Sequence, residues 1–222
     1  MSYILNEMPQ QINKKLVEKC SRAETATIGH IRNMGFADRR IQNVLNNNLT
    51  ISGTAVTLAI PGQDSTLLHH IIQFLRPGDI LCIDRLGDDK HACLGGGVAA
   101  AIVASGCIGV ILDGPCTDVP EIEEYKLPVW CKGTSPITTR IYDNGGSFNV
   151  PISVGGAVIN PGDLVLADFS GVLIMSPSDA EADVDWALAK MSVEFDGHKK
   201  MLAGEKLGAL SGASQKVENK LK

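Results

Sequence analysis

Apolar residues in this chain gather into short runs separated by Pro-Gly, Gly-Asp and Asp-Ser punctuation. Gly53 to Ile60 (GTAVTLAI) reads as a strand stopped by Pro61-Gly62. Asp64-Ser65 then caps a helix running to about Leu75. Pro77-Gly78-Asp79 turns the chain into a second strand, ILCID. A small-residue, Ala-rich run over 97–105 predicts a helix, followed by an apolar strand over 107–112. Short strands are expected near 128–132 and 150–154. Pro161-Gly162-Asp163 introduces LVLAD, and Gly171 introduces VLIMS. The phrases PGDILCID and PGDLVLAD share one logic: a tight Pro-Gly turn feeding an apolar strand that ends in Asp.

At the N-terminus, Ile12, Leu16, Val17, Ile28 and Ile31 make an imperfect apolar stripe that predicts a helix over about 8–34. A core follows over about 50–176, then a helix over about 177–204 with Trp186 and Leu188 as core contacts, and a polar tail over 205–222. Helices and strands alternate in the first half and strands dominate the second. No interior linker is long or Gly/Ser-rich enough to divide the chain. The expectation is one α/β domain with a mixed sheet.

Composition narrows the classes of function. The 222 residues are 44% hydrophobic and 20% charged with a net charge of −5, an ordinary globular balance. That balance argues against a DNA-binding protein working through a basic surface, and aromatics at 5% leave little for base stacking. No apolar run approaches the roughly 20 residues that span a bilayer, so no membrane partner is expected. The first residues, MSYILNEMPQ, lack the basic and apolar regions of a signal peptide. Six cysteines without any CxxC read as reduced, buried thiols of a cytoplasmic protein.

The chemistry concentrates between Gly95 and Glu121, GGGVAAAIVASGCIGVILDGPCTDVPE. Gly95, Gly96, Gly97 and Val98 open a helix with exposed N–H groups, which suits a substrate anion or close helix–strand packing. Asp118 and Glu121 follow a buried strand and suit a hard divalent cation. Asp118 with Glu121 three positions on also matches a capping box for its own short helix. Arg85, Lys90, His91 and Arg140 are the nearby sources of positive charge, and His91 could move a proton. Asp64 reads as an N-cap, and His69-His70 point opposite ways on a helix and cannot form a ligand pair. Asp84 and Asp168 close apolar strands, where turn roles are common. Cys116 beside Asp118 has no partner histidine at a recognisable spacing and reads as a packed thiol.

These stretches, together with LPVWCKGTSP at 127–136 and NVPISVGGAVINPGDLVLAD at 149–168, resemble the RraA-like family. Its members include the regulator of ribonuclease E activity and metal-dependent 4-hydroxy-4-methyl-2-oxoglutarate aldolases. The resemblance covers roughly residues 25–178. It implies a swivelling β/β/α fold assembled as a homotrimer or a dimer of trimers, with sites between subunits. It also implies Mg²⁺ or Mn²⁺ on Asp118, with Glu121 acting through water and Glu194 supplied by a neighbouring subunit. The aldolases carry Arg-Asp where this chain has Thr117-Asp118, and a carboxylate where it has Gly96. Thr117 cannot reproduce the bidentate grip of a guanidinium.

The resemblance thus implies a metal-dependent lyase, of aldolase or decarboxylase type, on a small 2-oxo acid or related carboxylated substrate. A metal-stabilised enolate would follow carbon–carbon cleavage, with His91, Thr117 and Asp118 as catalytic candidates. Arg85 and the Gly95–Val98 segment would hold substrate. The alternative is a non-catalytic trimeric regulator acting on RNA-degradation machinery.

Overall fold

The computed structural model describes residues 2–221. Its centre is β3 (Ile51–Ala59), a strand buried along its whole length. On one side β3 pairs in parallel with β4 (Asp79–Asp84), which continues through β5 (Gly109–Leu112) and β6 (Val129–Cys131), all parallel. On the other side its first half pairs antiparallel with β10 (Leu164–Ala167) and its end with β7 (Gly146–Phe148). β11 (Val172–Met175), β1 (Tyr3–Leu5) and β2 (Gln42–Asn43) complete a mixed sheet of nine strands. β8 (Ile152–Val154) and β9 (Ala157–Ile159) form a separate hairpin.

The strands are apolar throughout because both faces of the sheet are covered. Alternate residues of β4 serve opposite sides. Leu81 and Ile83 pack under α3 (Thr66–Ile71) and α4 (Gly96–Ser105), against Leu68, Ile71, Ala99 and Ile102. Ile80 and Cys82 pack with Trp130, Val154, Ile159 and Val165 on the hairpin side. A third cluster joins Leu166, Leu173 and Met175 to α1 (Lys14–Cys20), α2 (Thr25–Ile28) and α6 (Pro177–Leu202).

The two Pro-Gly-Asp turns are built alike. Gly78 and Gly162 adopt φ of 90° and 93°, and the Asp N–H closes each turn on the carbonyl of Arg76 or Asn160 at 3.1 Å. Each Asp carboxylate then accepts from the backbone N–H three residues earlier, at 2.9 Å for Asp79 and 2.7 Å for Asp163.

The N-terminal helix expected over 8–34 is not continuous. It breaks into α1 and α2, because the buried Asp168 carboxylate takes the Thr25 N–H and hydroxyl at 2.7 Å each and fixes a new helix start there. Asp168 thus serves as a structural knot, as a turn role would have it. The polar tail carries two short helices without buried residues, α7 (Leu207–Leu210) and α8 (Ala213–Glu218), joined to the core by the long α6. α5 (Val119–Glu124) follows the turn that leaves β5.

Candidate functional site

The Gly95–Glu121 segment begins and ends at one place. α4 starts at Gly96 after Gly95, and it stops where Gly106 turns left-handed at φ 82° against Pro77. β5 then carries the chain back beside β4, and the turn after β5 returns to the start of α4. Leu94 bridges Cys116, and the Thr117 N–H donates to the Leu94 carbonyl at 2.9 Å. The glycine triplet and Asp118 are therefore neighbours.

Asp118 sits in the left-handed region, φ 54° and ψ 45°, which a short polar residue tolerates. Its side chain does not cap α5, contrary to the capping-box pattern. It reaches across to α4 instead, where the Gly96 N–H donates to Oδ2 at 2.9 Å and the Thr117 hydroxyl donates to Oδ1 at 3.2 Å. Gly95 has no room for a side chain: a Cβ there would lie 2.5 Å from Asp118 Oδ2 and 2.8 Å from Thr117 Cγ2. A Cβ on Gly96 would press on the Glu121 side chain at 3.2 Å, which places Glu121 beside the same helix start. Gly97 faces open space. Among the described residues, the N–H groups of Gly97 and Val98 meet no acceptor.

These residues open onto a cleft of about 700 Å³. Gly95, Gly96, Gly97, Val98, Thr117 and Asp118 form one side. The 138–141 segment forms another, with Arg140 among its lining residues. Short bridges Asp64–Arg140 and Ala92–Thr138 hold that segment in place. A single Arg140 nitrogen, Nη1, donates to the Thr138 carbonyl and hydroxyl and to the Thr139 carbonyl, which leaves Nη2 and Nε for a ligand. Asp64 is the buried anchor beneath. It accepts from the N–H groups of Thr66, Tyr142 and Asn144 and from the Thr66 hydroxyl. Burial works against its charge, but those four hydrogen bonds outweigh it and hold the carboxyl at about 2.

The other candidates lie elsewhere. Arg85 does not reach the cleft: it is wholly buried, with Nη2 on the carbonyls of Gly62 and His91. His91 is turned toward Asp88, whose carboxylate takes its backbone N–H at 2.9 Å and its ring Nδ1 at 2.7 Å. Burial opposes the Asp88 charge, yet the hydrogen bonds from His91 and Lys90 keep its carboxyl below the ordinary range. Lys90 is exposed on the same loop. Glu194 pairs with Lys190 within α6 at 3.3 Å, and no residue of α6 lines the cleft of its own chain. Asp84 accepts from the N–H groups of Leu86 and Ser153. His69 lines the cleft, while His70 stacks edge-on against Phe74.

The donor set fits a hard, hydrated ion. Among the described residues, no three His, Cys, Asp or Glu side chains stand together as a metal cage. One pinned carboxylate, each oxygen with a lone pair to spare, suits Mg²⁺ or Mn²⁺ bound largely through water and does not suit structural zinc.

The architecture and the cleft define the class: a mixed-sheet α/β protein whose site lies where the turn after a parallel strand meets a glycine-started helix. The sequence model of the RraA-like family (Aldolase/RraA) matches residues 22–174, and the chain belongs to that family. It is 30% identical over 159 residues to a Halalkalibacterium halodurans protein named "Putative 4-hydroxy-4-methyl-2-oxoglutarate aldolase", covering 72% of this chain and 75% of that one. An Arabidopsis thaliana protein of the same name, numbered 3, is 30% identical over 71% of this chain and 92% of its own. The crystal structure of Streptomyces coelicolor RraAS2, described as an unusual member of the RNase ES inhibitor RraA family, superposes with a TM-score of 0.72 at 27% identity. It covers 87% of this chain and 98% of RraAS2. At the level of the family, these names support an aldolase-like lyase, and the RraA neighbours fit the regulatory alternative.

Proposed function

We propose that this chain is a divalent-metal-dependent carbon–carbon lyase, of aldolase or decarboxylase type, acting on a small 2-oxo acid or a related carboxylated substrate. The observation that supports this most is the pinned Asp118 carboxylate at a cleft that free amides and an arginine also line. Asp118 would hold Mg²⁺ or Mn²⁺, with Glu121 positioned beside it to orient the ion's waters. The ion supplies Lewis acidity that draws electron density from a substrate carbonyl. The chain's own residues bind and orient. The Gly97 and Val98 N–H groups would donate to a substrate carboxylate, and Arg140 would give the bidentate cation that Thr117 cannot. The Thr117 hydroxyl is committed to Asp118 and acts as a positioning group for it.

Because the guanidinium enters from the 138–141 segment instead of position 117, a substrate different from that of the Arg-Asp aldolases is expected. Glu194 can join the site only from another copy of the chain, so the reading includes a homotrimer or a dimer of trimers. The RraA neighbours and the missing Arg support the second reading, a trimeric regulator without catalysis.

Thermal denaturation with Mn²⁺ and oxalate separates the two. The lyase reading expects a raised melting temperature for the natural chain and none for Asp118→Ala. A shift that survives Asp118→Ala removes Asp118 as the metal ligand. No shift with Mg²⁺ or Mn²⁺, with or without oxalate, favours the regulator.

A further inference from the structure

We infer that Cys116 and Cys131 form a reversible disulfide that switches off the Asp118 site, an inference that rests on the metal reading of Asp118. Their sulfurs lie 3.6 Å apart, and both residues are buried. A disulfide needs about 2.05 Å between the sulfurs, so the pair must close by about 1.5 Å. All six cysteines are free, buried thiols in this structure.

The two thiols differ in what borders them. Cys131 ends β6 and borders a second cleft, of about 600 Å³, beside Arg40 and Lys132. That cleft gives a small oxidant its approach to Cys131, whereas Cys116 borders neither of the two clefts. Cys131 is thus the attacking thiol and Cys116 the resolving one.

Cys116 is also the hinge of the metal site. Its N–H donates to the Gly133 carbonyl at 3.0 Å and its carbonyl accepts from Ser135 at 2.9 Å. The next residue, Thr117, is tied to Leu94, and the one after is Asp118. A pull on Cys116 toward β6 is therefore transmitted to Thr117, to Asp118 and to the Gly96–Asp118 hydrogen bond.

With hydrogen peroxide as oxidant the steps balance. The Cys131 thiolate attacks one peroxide oxygen. The S–O bond forms, the O–O bond breaks, and hydroxide leaves to take up a proton as water. The Cys116 sulfur then attacks the Cys131 sulfur. The S–S bond forms, the S–O bond breaks, and the leaving hydroxide takes the Cys116 proton as a second water. Two thiols are oxidised and one peroxide is reduced. A dithiol reverses the change by exchange.

The test treats the full chain with hydrogen peroxide, then maps it by peptide mass spectrometry, calorimetric Mn²⁺ binding and amide hydrogen exchange. The expected result is a cross-link between the Cys116 and Cys131 peptides with loss of two hydrogens. Mn²⁺ affinity should fall about 10–100-fold, the range for disturbing what orients a metal ligand. Exchange at 117–121 should quicken, and dithiothreitol should restore both. Cys131→Ser should bind Mn²⁺ normally and ignore peroxide. A cross-link through Cys93, sulfinic acid without any cross-link, or a Cys116–Cys131 cross-link with unchanged exchange at 117–121 overturns the inference. If the reduced chain binds no Mn²⁺, the metal reading has failed, and the cross-link and exchange still decide whether the switch exists.

Discussion

At the scale of single residues, the site depends on what Gly95 lacks. The sequence pattern picked out the glycine triplet but gave its three members one role. The structure separates them: Gly95 leaves room for the Asp118 carboxylate, Gly96 donates to it, and Gly97 stays open toward the cleft. That division was illegible in the sequence, because it depends on a contact between residues 22 positions apart. Gly95→Ala should displace the carboxylate and weaken Mn²⁺ binding by about 10–100-fold, while Gly97→Ala leaves it unchanged; calorimetric titration of both variants checks this. Equal affinities would mean that Asp118 is not held as described. Arg140 was one of four cations legible in the sequence, and only the fold shows which of them reaches the cleft. Arg140→Gln should weaken oxalate binding by about tenfold or more, as loss of a charged hydrogen-bond partner does, and leave Mn²⁺ affinity unchanged. A loss of Mn²⁺ affinity instead would assign Arg140 to folding of the site.

At the scale of elements, the strongly punctuated ones matched the sequence reading: β3, β4, α4 and β10 all lie between Pro-Gly turns or glycine caps. The failures have physical causes. β1 and β7 are short, and their pairing joins positions more than 140 apart, so neither carries a local signal. The N-terminal apolar stripe recorded burial only in part: Ile28 is buried and Ile12 and Leu16 pack against the same cluster, but Ile31 is 46% exposed, and Asp168 splits the helix that the stripe suggested. Asp64 is the anchor to test at this scale, because it joins the start of α3 to the cleft segment. Its folded value of about 2 lies below the ordinary 3.8. Its contribution to stability is therefore full above about pH 4, and about 2 kcal/mol of it disappears as the pH falls toward 2. Denaturant unfolding at pH 6 and at pH 2.5 should show that loss in the natural chain, with a much smaller pH dependence in Asp64→Asn. An unchanged pH dependence in the variant would show that another carboxylate carries it.

At the scale of the whole molecule, the sheet is satisfied within one chain and α6 is not. The buried residues of α6, Ala180, Val184 and Ala187, all lie in its first half. Beyond them Val193, Phe195 and Leu202 are 68%, 63% and 90% exposed, and Leu207 follows at 64%. Phe195 and Leu202, seven residues apart, share one face of this extension while Val193 lies opposite, and large apolar side chains exposed around one extension suit a contact with another copy of the chain. The same extension carries Glu194, so assembly and completion of the site would be one event. A chain ending at Ala189 keeps every buried contact of α6. It should therefore stay folded, losing only the helical signal of the removed part of α6, α7 and α8, and sediment as a monomer, while the full chain sediments as a trimer or hexamer. In the full chain, Glu194→Gln should weaken Mn²⁺ binding without changing sedimentation, since only the side chain that reaches the neighbour's cleft is altered. If the full chain is itself a monomer, Glu194 has no route to any cleft and the site must work with Asp118 and Glu121 alone. If the truncated chain still assembles, the contact lies on the sheet edge or the hairpin, and the exposed face of α6 needs another partner.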